Sequence, residues 1–140
     1  MANIGFLHGI GDSMRGVVGE GFESAPMYPL KTILAPRAPG GGASDFAGGL
    51  PEISDPLFLM RVMRERKTFA GLVLSPEEAL SPVEALRAVT WDAAVAMEME
   101  HLVGGFRPGS LADFAVPTDG TVRVLETWLG GERVWRYDGA

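Results

Sequence analysis

The chain has 140 residues, of which 46% are hydrophobic and 21% charged; this suffices for one domain with a buried core and excludes a disordered tract. Eighteen acidic residues against twelve basic ones leave a net charge of −6, so no basic surface is available for sequence-independent binding of nucleic-acid phosphates. Cysteine is absent and histidine occurs only as His8 and His101, which excludes disulfides, thiolate metal sites and any multi-histidine metal centre built from this chain alone.

No stretch approaches the ~18 consecutive apolar residues of a membrane span. The opening residues from Met1 to Leu7 carry no basic leader pattern. The expectation is a soluble cytoplasmic protein with neither nucleic-acid nor membrane partner.

Residues 1–54 read as glycine-rich and irregular, with one largely apolar run from Met27 to Ala35. Pro26, Pro29 and Pro36 limit any helix there to about two turns. The segment Gly40 to Asp45 reads as a short strand ending in a loop; the triple glycine lacks the Gly-Lys-Ser/Thr of a phosphate loop. Ser54-Asp55-Pro56 sets a cap before a helix-initiating proline, and Leu57, Leu59, Met60 and Met63 continue that helix. Its cluster of basic residues from Arg61 to Lys67 reads as a solvated face.

Ser75-Pro76-Glu77-Glu78 has the form of a capping box ahead of a short turn, and Ser81-Pro82-Val83-Glu84 repeats the pattern. Val83, Leu86, Val89, Ala93, Ala94 and Met97 then recur at helical spacing. They predict one helix that ends at Gly104-Gly105, with His101 near its C-terminal dipole. Beyond residue 105 the period changes. Leu111 to Val116 predicts a strand, Asp119-Gly120 a turn and Val122 to Leu129 a second strand. Gly130-Gly131 then turns the chain into a hairpin with Glu132 to Tyr137. Trp91, Trp128 and Trp135 read as packing residues. Ser13 and Ser44 have no recognisable base-and-orienter partners, so nucleophilic serine chemistry has no support.

As a linked set these elements resemble the amidohydrolase superfamily. Leu80 to Thr90 followed by Ala93-Ala94 is similar to its late helix. Gly105 to Val116 resembles its turn and strand, and Val124 to Val134, with Thr127-Trp128-Leu129-Gly130-Gly131, its terminal hairpin. Upstream, Gly42-Ala43-Ser44-Asp45 resembles the end of the eighth barrel strand, and Tyr28 to Leu34 the segment that feeds it. The nearest group is the YtcJ-like, or amidohydrolase-3, group, which acts on amides and related C–N bonds.

The resemblance implies an α/β fold: the C-terminal fragment of a (β/α)8 metal-dependent hydrolase barrel plus the terminal strands of its small β-sandwich. Residues 1–105 would hold the last barrel strand and helices, and residues 106–140 the sandwich strands. It implies hydrolysis of non-peptide C–N bonds by metal-activated water, on a small amide-like substrate. Asp45 matches the family aspartate that binds the metal and takes a proton from the water. The family metal is divalent, with zinc the first candidate. The histidine ligands have no counterparts here, so the chain alone is expected to bind no metal and to be inactive. The alternative is a non-catalytic interaction module that docks with a partner chain or with itself.

Overall fold

The computed structural model describes residues 2–19, 21–22, 26–35, 40–45, 50–117 and 123–139. The expectations that touch Pro36, Asp119, Gly120 and Val122 lie outside this set. Among the described residues the fold is mixed α/β, with five α-helices followed by a three-stranded antiparallel sheet.

The first departure from the sequence reading is helix α1, Gly5–Val18, in a region read as irregular. Its four glycines oppose a helix by about 1 kcal/mol each relative to alanine, so intrinsic propensity argues against it. Packing prevails. Ile4, Leu7, Gly11 and Met14 follow helical spacing, and Leu7 and Gly11 are buried. A Cβ on Gly11 would lie 2.7 Å from Thr68 Cγ2, so the glycine permits close approach of the facing chain. Asp12 ties the same surfaces together: one carboxylate oxygen accepts from the Thr68 hydroxyl at 2.6 Å and the other from the Ala70 amide at 2.9 Å.

The proline-bounded run yields α2, Leu30–Leu34, within the two-turn limit. Helix α3, Pro56–Glu65, begins as predicted: the Asp55 side chain accepts from the Leu57 amide at 2.8 Å, and Pro56 occupies the first turn. Leu59, Val62 and Met63 form its buried stripe. The helix stops where Arg66 enters the left-handed region at φ 56°. A tight reversal follows, with an antiparallel bridge between Lys67 and Val73.

The predicted capping box at Ser75 does not form. A short 3₁₀ turn spans Pro76–Glu78 without a side-chain cap bond from Ser75, and Glu78 accepts from Thr32 instead. The box at Ser81 does form, with reciprocal bonds to Glu84, and it starts α4, Pro82–Val89. The long helix expected beyond it is broken at Thr90 (φ −119°, ψ −89°), whose hydroxyl donates to the Leu86 carbonyl. Helix α5, Trp91–Ala96, starts afresh. Hydroxyl back-bonding of this kind competes with the helical ladder, and His101 therefore lies beyond the helices, exposed.

The strands are β1, Phe114–Pro117, β2, Val124–Leu129, and β3, Glu132–Arg136, ordered β1-β2-β3. Strand β1 starts three residues later than predicted, while the Gly130-Gly131 hairpin is as expected, both glycines having positive φ. Phe114 stacks on Trp128 with ring centroids 5.6 Å apart. Trp135, read as a packing residue, is exposed. The buried hydrophobic residues run from Ile4 to Ala94 and join α1, α2, α3 and α4.

Candidate active site

The site is built by backbone pairing between distant segments. Ala2 bridges Gly42 in parallel, and helices α1 and α2 lie in the connection between them. The Ala2 amide donates to the Gly41 carbonyl at 3.0 Å, and the Ala43 amide to the Ala2 carbonyl at 2.8 Å. Parallel segments joined through helices place their following residues at one end, where α/β folds bind ligands. Asn3 and Asp45 meet at that end.

The glycines make this pairing sterically feasible. A Cβ on Gly41 would lie 2.7 Å from the Ala88 carbonyl oxygen and 3.1 Å from the Ala93 backbone, so only glycine fits against α4 and α5. Asp45 itself takes a left-handed conformation at φ 46°, a region that costs most side chains energy and is more often visited by aspartate. Its carboxylate is exposed and accepts from Asn3 Nδ2 at 3.1 Å. A shallow cavity of about 310 Å³ opens beside it, lined by Gly42, Ser44, Asp45, Ser54, Leu59 and Val89 among others. Burial and the nearby negative charge of Asp45 push the Tyr28 phenol above its ordinary value.

Arg66, read from sequence as part of a solvated face, is instead wholly buried at 0% exposure. The left-handed turn at the end of α3 carries it inward, where its guanidinium donates to the carbonyls of Leu74, Tyr28 and Met27. Burial pulls its pKa down, and the carboxylates of Glu78 and Glu77 oppose that shift. Arg66 thereby fastens the Met27-Tyr28 loop, which leads into α2 and carries the phenol influenced by Asp45. Glu78 completes the framework. Its burial favours the neutral carboxyl, but hydrogen bonds from Thr32 and the charge of Arg66 outweigh this and hold its pKa below the ordinary value.

The two histidines stand apart from this arrangement. His8 Nδ1 lies 3.1 Å from the Lys67 carbonyl, which only accepts, so this nitrogen carries the proton. The ring packs edge-on against Phe58 and Phe69 at 5.0 and 5.8 Å. Among the described residues no group of three or more His, Cys, Asp or Glu side chains is placed to hold a metal ion. Asp45 is thus a single carboxylate with neutral Asn3 as its hydrogen-bond donor, and the described residues do not by themselves fit a divalent metal.

A second cavity, of about 300 Å³, is lined by Lys31, Leu34, Leu80, Glu84, Arg87 and Asp92. Its charges serve the helices: Arg87 Nε bonds Asp92 at 2.9 Å, and Glu84 belongs to the α4 capping box. Among the described residues, no helix is long and apolar enough to cross a membrane.

Sequence reasoning singled out Asp45 but not Asn3, Tyr28 or Arg66. Asn3 did carry a signal: it is the only carboxamide side chain in the chain. Arg66 carried none, because nothing distinguishes it locally from Arg61 and Arg64.

The sequence profile of the amidohydrolase family matches residues 3–135. The chain is also similar to an N-substituted formamide deformylase from Arthrobacter pascens, 31% identical over 148 aligned positions. That alignment covers 99% of this chain and 26% of the relative, so the chain spans about a quarter of the relative's length. No solved structure matches it.

Proposed function

The chain belongs to the amidohydrolase family, and we propose from this premise that it supplies the carboxylate end of a site that hydrolyses C–N bonds of small amide-like substrates. The observation that carries the reading is Asp45. It stands at the shared end of the Ala2 and Gly42 segments, in a left-handed conformation, beside a cavity and hydrogen-bonded to Asn3.

The chemistry assigned to this chain is proton transfer. Asp45 accepts a proton as water adds to the substrate carbonyl carbon, then returns it to the departing nitrogen as the C–N bond breaks. For a formamide the products are formate and the protonated amine, so atoms and charge balance with one water consumed. The relative's activity on N-substituted formamides makes that substrate class the first to try.

Amidohydrolases are generally metal-dependent, and the reading includes a divalent metal, zinc first, with Asp45 among its ligands in a complete site. The described residues bring one carboxylate to such a site and cannot hold the ion alone. We therefore read residues 1–105 as the last strand and helices of a (β/α)8 barrel, residues 106–140 as strands of an adjoining β-sandwich, and the chain alone as inactive. The helical connection between the parallel Ala2 and Gly42 segments supports the barrel assignment.

The test is amine release from N-substituted formamides with added zinc. It compares the chain alone with the chain joined in frame to whatever coding segment precedes it. Turnover is expected only in the joined protein, and Asp45→Asn there should lower kcat by about 10²–10⁴-fold, the usual contribution of a positioned base. Full turnover by the Asp45→Asn protein would overturn the assignment.

A second reading, an interaction module, draws on apolar side chains left at the surface: Val83 on α4 is 75% exposed, Phe106 87% and Trp135 on β3 47%. Exposed apolar groups of this kind favour association. It predicts self-association in size-exclusion chromatography; a monomer that melts cooperatively would contradict it.

A further inference from the structure

Asn3 follows the bridge at Ala2 by one residue, and Asp45 follows its partner Gly42 by three. The two backbone bonds of the Ala2 pairing fix the register between them, and Ile4, next to Asn3, is wholly buried. The Asn3 backbone is thus anchored on both sides while its side chain reaches the carboxylate. A carboxylate on a left-handed residue at the surface has several rotamers open to it unless a neighbour selects one. Asn3 Nδ2, 3.1 Å from Asp45 Oδ2, is a neutral donor suited to that selection.

We propose that Asn3 is a positioning residue, which commits one oxygen of Asp45 to a fixed hydrogen bond and thereby sets the direction in which the other oxygen faces. This rests on Asp45 being the hydrolytic carboxylate. A flexible acid would visit the geometry needed for proton transfer only part of the time, whereas an acid held in one rotamer is already oriented.

Because Asn3 is the chain's only carboxamide, a single side-chain NH2 pair reports on the bond in an 15N-correlated NMR spectrum of the 140-residue chain. That pair should shift in Asp45→Ala, which removes the acceptor and adds no second carboxamide. In the unsubstituted chain, the two Hα–Hβ couplings of Asp45 should take the limiting values of a single staggered rotamer. In Asn3→Ala they should converge on averaged values while the thermal midpoint stays unchanged. Asn3→Asp, nearly isosteric but without the donor, should give the same averaging at neutral pH. Couplings that stay at single-rotamer values in both variants, or an NH2 pair unmoved by Asp45→Ala, would overturn the proposal. These readings need no turnover, so their failure leaves the hydrolase assignment standing. Conversely, activity surviving Asp45→Asn would refute that assignment while leaving the Asn3 bond intact.

Discussion

Replacing Arg66 with methionine keeps an unbranched apolar stem in the core and removes every donor. The Leu74 and Met27 carbonyls then lose their donor, while the Tyr28 carbonyl keeps the Leu30 amide at 2.7 Å. A buried acceptor left unsatisfied costs about 1–3 kcal/mol. Some water will enter the space left by the guanidinium, so we take about 1–1.5 kcal/mol for each of the two, or about 2–3 kcal/mol in all. At roughly 2.1 cal/mol/K per residue, a chain of 140 residues has an unfolding entropy of about 0.3 kcal/mol/K, so Tm should fall by about 7–10 °C. The assay is thermal unfolding followed by circular dichroism, with Arg64→Met as a control from the exposed face of α3. Arg66→Lys keeps the charge but not the fork of donors, and should fall between the two. If Arg66→Met melts with the control, the buried guanidinium does not fasten the Met27-Tyr28 loop and the reasoning fails.

Gly41→Ala places a methyl group against the backbone of Ala88 and Ala93, so overpacking should cost about 2–3 kcal/mol and lower the denaturant midpoint. Gly16→Ala in α1, with nothing within 4 Å of the added carbon, should instead stabilise by about 0.5–1 kcal/mol. Ser81→Ala removes the α4 capping box and should cost about 1 kcal/mol in the same titration. Glu126 accepts from Trp128 and Arg133 and faces Arg136, which hold its pKa below the ordinary glutamate value of 4.5. A lowered folded-state pKa means stability that is present above the unfolded value and lost as pH falls through the folded one. Trp fluorescence should therefore show the hairpin loosening only as pH drops below that range, and Glu126→Gln should remove the dependence.

Local rules reached the elements whose signals are local. Asp55-Pro56 started α3, Ser81 with Glu84 started α4, and Gly130-Gly131 turned the hairpin, because caps and turns are decided within four residues. Helix α1 was missed because Gly11 admits Thr68 and Leu74 and Gly5 admits Ile53, partners more than 45 positions away in the sequence. The break at Thr90 was missed because helical spacing continued across it while one hydroxyl bonded backwards to Leu86. At the site, Asp45 was legible through its resemblance to a family motif. Asn3 and Arg66 were not, because their roles arise from parallel pairing and from a left-handed turn that only the folded chain reveals.

The proposed function makes this chain the Asp45-bearing portion of a metal-dependent hydrolase. The most direct test is to read the DNA immediately upstream of the Met1 codon. The proposed function predicts an in-frame or frameshifted coding region of about 1,200 bases, the roughly 400 residues left when 140 residues make up 26% of the relative, with a His-x-His pair and later histidines. An unrelated upstream gene, with Met1 preceded by its own ribosome-binding site, would contradict it and leave the interaction module as the better account.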